Sequence, residues 1–164
     1  MKLYSYFRSS AAYRVRIALN LKAIAYDAVA VHLSRNGGEQ FGAAFDALNP
    51  QHLLPVLVDD GLVLNQSLAI LEYLDETHPA VALLPPDAAG RARVRALARS
   101  ADTGRFCHGD TPGMADCCLV PQVFNAQRFE CDMAAYPTLM RIHDACMELD
   151  AFQAASPARQ FDAA

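Results

Sequence analysis

The sequence predicts a small α/β unit followed by an all-α unit, on three observations. Residues 2–77 alternate strand and helix signals around one hairpin, His78 to Pro86 carries Pro79, Pro85 and Pro86, and no strand signal returns beyond that stretch. The chain has 164 residues, of which 53% are hydrophobic types, enough for a well-formed core and too many for global disorder. A formal net charge of −4 argues against a dedicated nucleic-acid binder, which would carry a basic surplus. No run of about 18 apolar residues occurs, so no spanning helix is expected. The start, Met1-Lys2-Leu3-Tyr4-Ser5-Tyr6, is too polar and too short for a secretory signal.

The elements follow in order. Residues 2–6, with Leu3, Tyr4 and Tyr6, fit a short strand. Ser9 and Ser10 precede a helix from Ala11 to Leu21, with Val15, Ala18 and Leu19 on one face. Tyr26 to Val31 reads as a second strand. Gly37-Gly38 breaks the chain, and 39–47 reads as a short helix ending before Asn49-Pro50. Residues 55–58 and 62–64 flank Asp59-Asp60-Gly61, the signature of a hairpin with a D-G turn. Gln66-Ser67 opens a helix through Thr77, which Pro79 stops. Three further helices are expected at about 87–99, 113–127 and 136–150. The organisation is therefore 1–78 for the α/β unit, 79–86 for the linker and 87–164 for the helical unit.

Cysteine use gives the compartment. Cys107, Cys117, Cys118, Cys131 and Cys146 all lie in the second half, odd in number and without C-x-x-C spacing. That pattern supports neither a disulfide framework nor a zinc site. Reduced, cytoplasmic thiols are expected, with Cys117 and Cys118 as small buried hydrophobes. The five histidines are scattered, so no metal site is expected.

The stretch from Tyr4 to Leu19, containing Ser9-Ser10-Ala11-Ala12-Tyr13-Arg14-Val15-Arg16, resembles the Ser-Ser-Cys-x-Trp-Arg-Val-Arg signature of the zeta-class glutathione transferases. Their members include maleylacetoacetate and maleylpyruvate isomerases. Ala47-Leu48-Asn49-Pro50, Leu54-Pro55, Gln66 to Leu74, Ala115 to Gln122, and Arg128-Phe129 extend the likeness over both halves. The resemblance implies a thioredoxin-like N-terminal domain, a helical C-terminal domain, glutathione as cofactor and a homodimer.

Ser9 and Ser10 stand where the first strand turns into the first helix. A hydroxyl there can donate to a thiolate, while free N–H groups and the helix dipole add positive potential. Together these lower a thiol's pKa from about 8.5 toward neutrality. The bland alternative is a helix cap, a common role for serine; the resemblance favours catalysis, at Ser9 in particular. Gln66 and Ser67, at another helix start, form a natural carboxylate receptor, and by resemblance hold the γ-glutamyl end of glutathione. Resemblance likewise implies a cis Leu54–Pro55 bond, glutathione contacts at Gln40 and His52, and a glutathione-binding stretch that includes Ala11 and Arg14. Arg14 and Arg16 both match the family, and a structural role is the favoured reading for them. Ala11 replaces the family's cysteine, so any role of that thiol is absent.

The substrates implied are small cis-alkene dicarboxylates, which call for fixed cations. Arginine's fork suits carboxylates, and Arg8 and Arg128 match family positions near the active site. The reaction implied is thiolate addition, rotation about the resulting single bond and elimination, with Ser9, Arg8 and Arg128 as catalytic residues. Arg91, Arg93, Arg95 and Arg99 read instead as a solvated helix face. A general transferase acting on electrophiles, or a non-catalytic glutathione-binding scaffold, stands as the alternative.

Two departures from the family concern the second half. Gly113 replaces a capping Ser or Thr, a mild change. At Arg99-Ser100-Ala101-Asp102 the family carries about two further helices, on the order of 40 residues. A segment left out of the numbering, a true deletion and an engineered excision are the three origins. The first is favoured, because both flanks still match and a deletion would strip the core of its partners.

Overall fold

The computed structural model describes residues 1–96 and 104–163. Four short strands form one mixed sheet in the order β2-β1-β3-β4: β1 (Lys2–Ser5), β2 (Asp27–Ala30), β3 (Val56–Asp59) and β4 (Leu62–Asn65). β1 runs parallel to β2, with Leu3 opposite Ala28, and antiparallel to β3, with Leu3 opposite Leu57. β3 and β4 form the expected hairpin, whose turn places Asp60 and Gly61 at φ +48° and +87°, the left-handed geometry for which D-G sequences are suited.

Strand alternation divides the core. Leu3 and Leu57 point to the face covered by α1 (Ser10–Leu21) and α3 (Ser67–Thr77), where Val15, Ile17, Leu19, Ile70, Leu71 and Leu74 are fully buried. Val56 faces the other way, against Phe45 of α2 (Ala43–Asp46), Val31 and Tyr4. The first of these cores is continuous with the helical half. It takes in Val94 of α4 (Ala88–Ala96), Cys117 and Val120 of α5 (Met114–Arg128), Ile142 of α6 (Pro137–Met147) and Phe152 of α7 (Asp150–Ala155). Burial of that shared face, rather than the 8-residue-scale helices themselves, holds the halves together.

Polar contacts fix the join. Lys22 Nζ donates to Asp75 Oδ1 at 3.0 Å and to the carbonyls of His78 and Val81. Asp75 Oδ1 also accepts from Leu83 N–H, and Leu83 O accepts from Met114 N–H at the start of α5. Asp116, 1% exposed, accepts from Gly113 N–H and Cys107 N–H at 2.8 Å each. A Cβ at Gly113 would meet Leu83 O at 2.9 Å, so the close approach of linker and helix explains glycine at this N-cap.

Three expectations need correction. The single helix at 39–47 is two pieces, a turn of 3₁₀ helix at Glu39–Phe41 and then α2, with a further 3₁₀ turn before it at Arg35–Gly37. The extended Gly42 interrupts it, and Gly38 at φ +102° separates it from the turn before. The helix at 136–150 ends at Met147, and the extended Leu149 starts α7 afresh. The arginine face of α4 is not merely solvated: Arg95 pairs with Glu72 at 2.9 Å and Arg91 with Glu76 at 3.6 Å, both on α3. Arg99 and the junction at 100/101 lie outside the described residues. Among the described residues no helix is long and apolar enough to cross a membrane, and no cluster of His, Cys, Asp or Glu is placed to hold a metal.

Candidate active site

Ser9 is the N-cap of α1. Its Oγ accepts from Ala12 N–H at 3.2 Å and its carbonyl accepts from Tyr13 N–H, while its own N–H donates to Tyr6 O. The capping and catalytic readings are thus compatible. A hydroxyl that accepts from the helix still has its proton to donate outward, and accepting strengthens that donation. Ser10 and Ala11 occupy the first turn, where backbone N–H groups have no partner within the helix.

Arg8, immediately before Ser9, is exposed, its guanidinium 4.9 Å from the centroid of the Phe7 ring. Arg128 is exposed in the last turn of α5, 5.2 Å from the Phe129 ring. Among the described residues no direct polar contact joins Arg128 to Arg8 or Ser9. The helices that carry them, α1 and α5, pack against each other.

A second helix start lies beside the first. Gln66 stands at φ +67° before α3 and makes no side-chain cap, so its side chain is not an ordinary N-cap. Ser67 Oγ accepts from Arg14 Nη1 at 3.3 Å, which ties the two helix starts together. Arg14 Nε is buried without a partner. A half-buried guanidinium beside two helix N-termini concentrates positive potential, which suits a carboxylate.

The third group surrounds the Leu54–Pro55 bond, which is cis. Asn49, buried, holds the approach to it, donating from Nδ2 to Leu53 O and accepting Gln51 N–H at Oδ1. His52, at φ +56°, contacts Gln40 O through Nδ1 at 2.8 Å; a carbonyl only accepts, so Nδ1 carries the proton. His52 Nε2 then faces Asp46 Oδ1 at 3.5 Å, with the Phe41 ring 5.1 Å away. The Gln40 amide folds beneath Gly38, and its Oε1 is a buried acceptor without a partner. Sequence reading had singled out the Ser9, Gln66 and Leu54 groups separately; the Arg14–Ser67 link ties the helix that follows Ser9 to the Gln66 group, while the His52–Gln40 link lies within the third. Asn49 and Asp46 had been missed as supports, although the Asn49-Pro50 turn signal pointed to the first.

Residues 8–77 match the family described as "Glutathione S-transferase, N-terminal domain". The probable maleylacetoacetate isomerase of Vibrio cholerae is 44% identical, with 98% of this chain and 97% of that protein covered. The chain belongs to the zeta class of glutathione S-transferases. Among solved structures, the holo form of a maleylpyruvate isomerase, a bacterial glutathione S-transferase of the zeta class, superposes with a TM-score of 0.93 at 42% identity and covers 100% of both chains. A maleylacetoacetate isomerase of Anaeromyxobacter dehalogenans, with dicarboxyethyl glutathione and citrate bound in its active site, gives 0.84 at 44% identity, covering 99% of this chain and 97% of that one. The Vibrio alignment spans 209 positions against the 164 residues here, so that relative holds internal sequence with no counterpart in this chain.

Proposed function

We propose that the protein is a glutathione-dependent cis–trans isomerase of a maleyl dicarboxylate, maleylacetoacetate or maleylpyruvate, working as a cytoplasmic homodimer. The observation that carries the reading is Ser9 Oγ, at the N-terminus of α1, accepting from Ala12 N–H while its own proton is left to donate.

The residues present fit glutathione. The Arg14–Ser67 pair at the start of α3 suits a carboxylate, the His52–Gln40 loop offers a second polar end, and the α1 terminus favours an anion. Bound glutathione supplies a thiolate that adds to the cis alkene and leaves again after rotation about the carbon–carbon bond. Ser9 donates to that sulfur and holds it deprotonated. Arg8 and Arg128, both exposed and free of carboxylate partners among the described residues, hold substrate carboxylates and the charge that develops next to them. The Anaeromyxobacter relative holds glutathione bearing a dicarboxyethyl group, a ligand whose added carboxylates suit two such arginines.

On this reading residues 1–78 carry glutathione, 79–86 link, and 87–164 complete the substrate pocket. On the same reading the stretch absent relative to the Vibrio protein belongs at 100/101 as a segment left out of the numbering, and intact-mass spectrometry tests that origin: a mass of 17.8 kDa would overturn it. The functional test is loss of maleyl absorbance with and without glutathione. Ser9→Ala should lower kcat by about 10²–10³, as for removal of one donor to a developing anion. Ser9→Asn should retain the cap, and so the stability, yet be equally slow. Undiminished turnover in Ser9→Ala would sink the assignment.

A further inference from the structure

The residue before Arg8 is held by two groups that the reaction does not require. Phe7 N–H donates to Asp162 Oδ2 at 3.2 Å, across 155 positions of sequence. Phe7 O accepts from Arg16 Nη2 at 3.1 Å. Arg16 is 1% exposed and its fork is filled: Nε donates to Ala155 O at 2.9 Å and Nη1 to Ser5 Oγ at 2.9 Å. The Phe7 ring is buried against Tyr6, whose ring in turn meets His32, both pairs at 4.8 Å. Ser9 N–H closes the turn on Tyr6 O.

We infer that Asp162 is a positioning residue for catalysis, clamping the Phe7 main chain so that the exposed Arg8 and the N-cap Ser9 are presented in a fixed orientation. The inference rests on the isomerase reading and adds to it a control point outside the glutathione-binding half. Both main-chain groups of Phe7 are tied, to Asp162 on one side and through Arg16 to the end of α7 on the other. Arg8 and Ser9 follow with no intervening residue. Without the Asp162 bond the Phe7 amide is free to rotate, and misplacement of a reacting group by about 1 Å costs on the order of 100-fold in rate. Burial pulls the Arg16 guanidinium down to about 10, opposed by the charges of Tyr26 and then Asp162.

The segment bearing Asp162 is itself anchored. Gln160 Nε2 donates to Ala154 O and Ser156 O at 2.9 Å each, and a turn of 3₁₀ helix at Pro157–Arg159 follows α7. The clamp thus reaches back to α7, which packs on α1.

The test compares the full chain with Asp162→Ala and Asp162→Asn, in which the amide oxygen still accepts from Phe7 N–H. Asp162→Ala should lower kcat/KM for the maleyl substrate by about 10- to 100-fold and raise the pH at which bound glutathione acquires thiolate absorbance. Its melting temperature should stay near that of the parent, and Asp162→Asn should recover most of the loss. Amide exchange gives a readout independent of activity: Phe7 to Ser9 should exchange faster in Asp162→Ala alone. Unaltered kinetics and exchange in Asp162→Ala overturn the proposal, and so does a variant that no longer folds. Equal damage in Asp162→Asn also overturns it, because charge rather than the hydrogen bond would then matter. A parent protein with normal exchange protection but no isomerisation would sink the functional reading and leave the clamp standing on the exchange data.

Discussion

Arg14 Nη1 lies 3.3 Å from Ser67 Oγ, a bond from the second turn of α1 to the first residue of α3, 53 positions away in sequence. By accepting from Arg14, Ser67 keeps its own proton for a ligand carboxylate. Arg14→Ala should weaken glutathione binding roughly tenfold, the scale of one hydrogen bond involving a charged partner. Isothermal titration measures it. Unchanged affinity would confine Arg14 to packing.

The Lys22–Asp75 pair is dry, with side chains 1% and 6% exposed. Asp75→Ala should cost about 3–5 kcal/mol in urea unfolding, because Lys22 is left buried without its counter-charge. Replacing both partners by apolar residues often restores stability. Here Lys22→Met with Asp75→Leu should remain at least about 2 kcal/mol below the parent. It strands the carbonyls of His78 and Val81 and the Leu83 N–H.

Burial, reinforced by the negative Asp116 beside them, pushes the thiols of Cys107 and Cys146 up; burial above all does the same at Cys117. The native chain therefore keeps protons that the unfolded chain sheds above its ordinary thiol value near 9.0. This contribution to stability is fully present below that value and is lost as pH rises past it. Denaturation midpoints should fall from about pH 9 upward, and the fall should shrink in Cys117→Ala. Native alkylation should reach the exposed Cys131 and leave Cys107, Cys117 and Cys146 unmodified.

Gly113→Ser should destabilise by about 1–3 kcal/mol although serine is the better cap in general. Its Cβ would press on Leu83 O at 2.9 Å. Thermal unfolding decides; a more stable Gly113→Ser would mean that the linker yields freely.

The order of strands and helices through Thr77 was legible because each element carries a local signal: the Asp60-Gly61 turn, Ser9 ahead of a helix, Pro79 after one. The candidate site groups stood out for the same reason, since Ser9, Leu54-Pro55 and Gln66-Ser67 each sit in a short motif, and the cis bond at Leu54–Pro55 is as expected. What escaped was relational. Asp162 on Phe7 and Ala155 on Arg16 join residues 155 and 139 positions apart, and neither Asp162 nor Ala155 is unusual in its own neighbourhood. The break of 39–47 at Gly42 escaped because an extended glycine there has φ −68°, a value any residue adopts. α7 was hidden by the lack of a strong stop signal after Met147.

The bonds from α1 to α7 bear on synthesis. Tyr13 OH, Arg16 Nε and Asn20 Nδ2 all donate to carbonyls of residues 151–155, which leave the ribosome well over 100 residues later. A nascent chain that has completed its sheet and α3 still carries the Arg16 guanidinium in the middle of α1 with its acceptor on Ala155 unmade. The α/β half should accordingly remain open to proteases during elongation until α7 arrives, so that α7 completes α1.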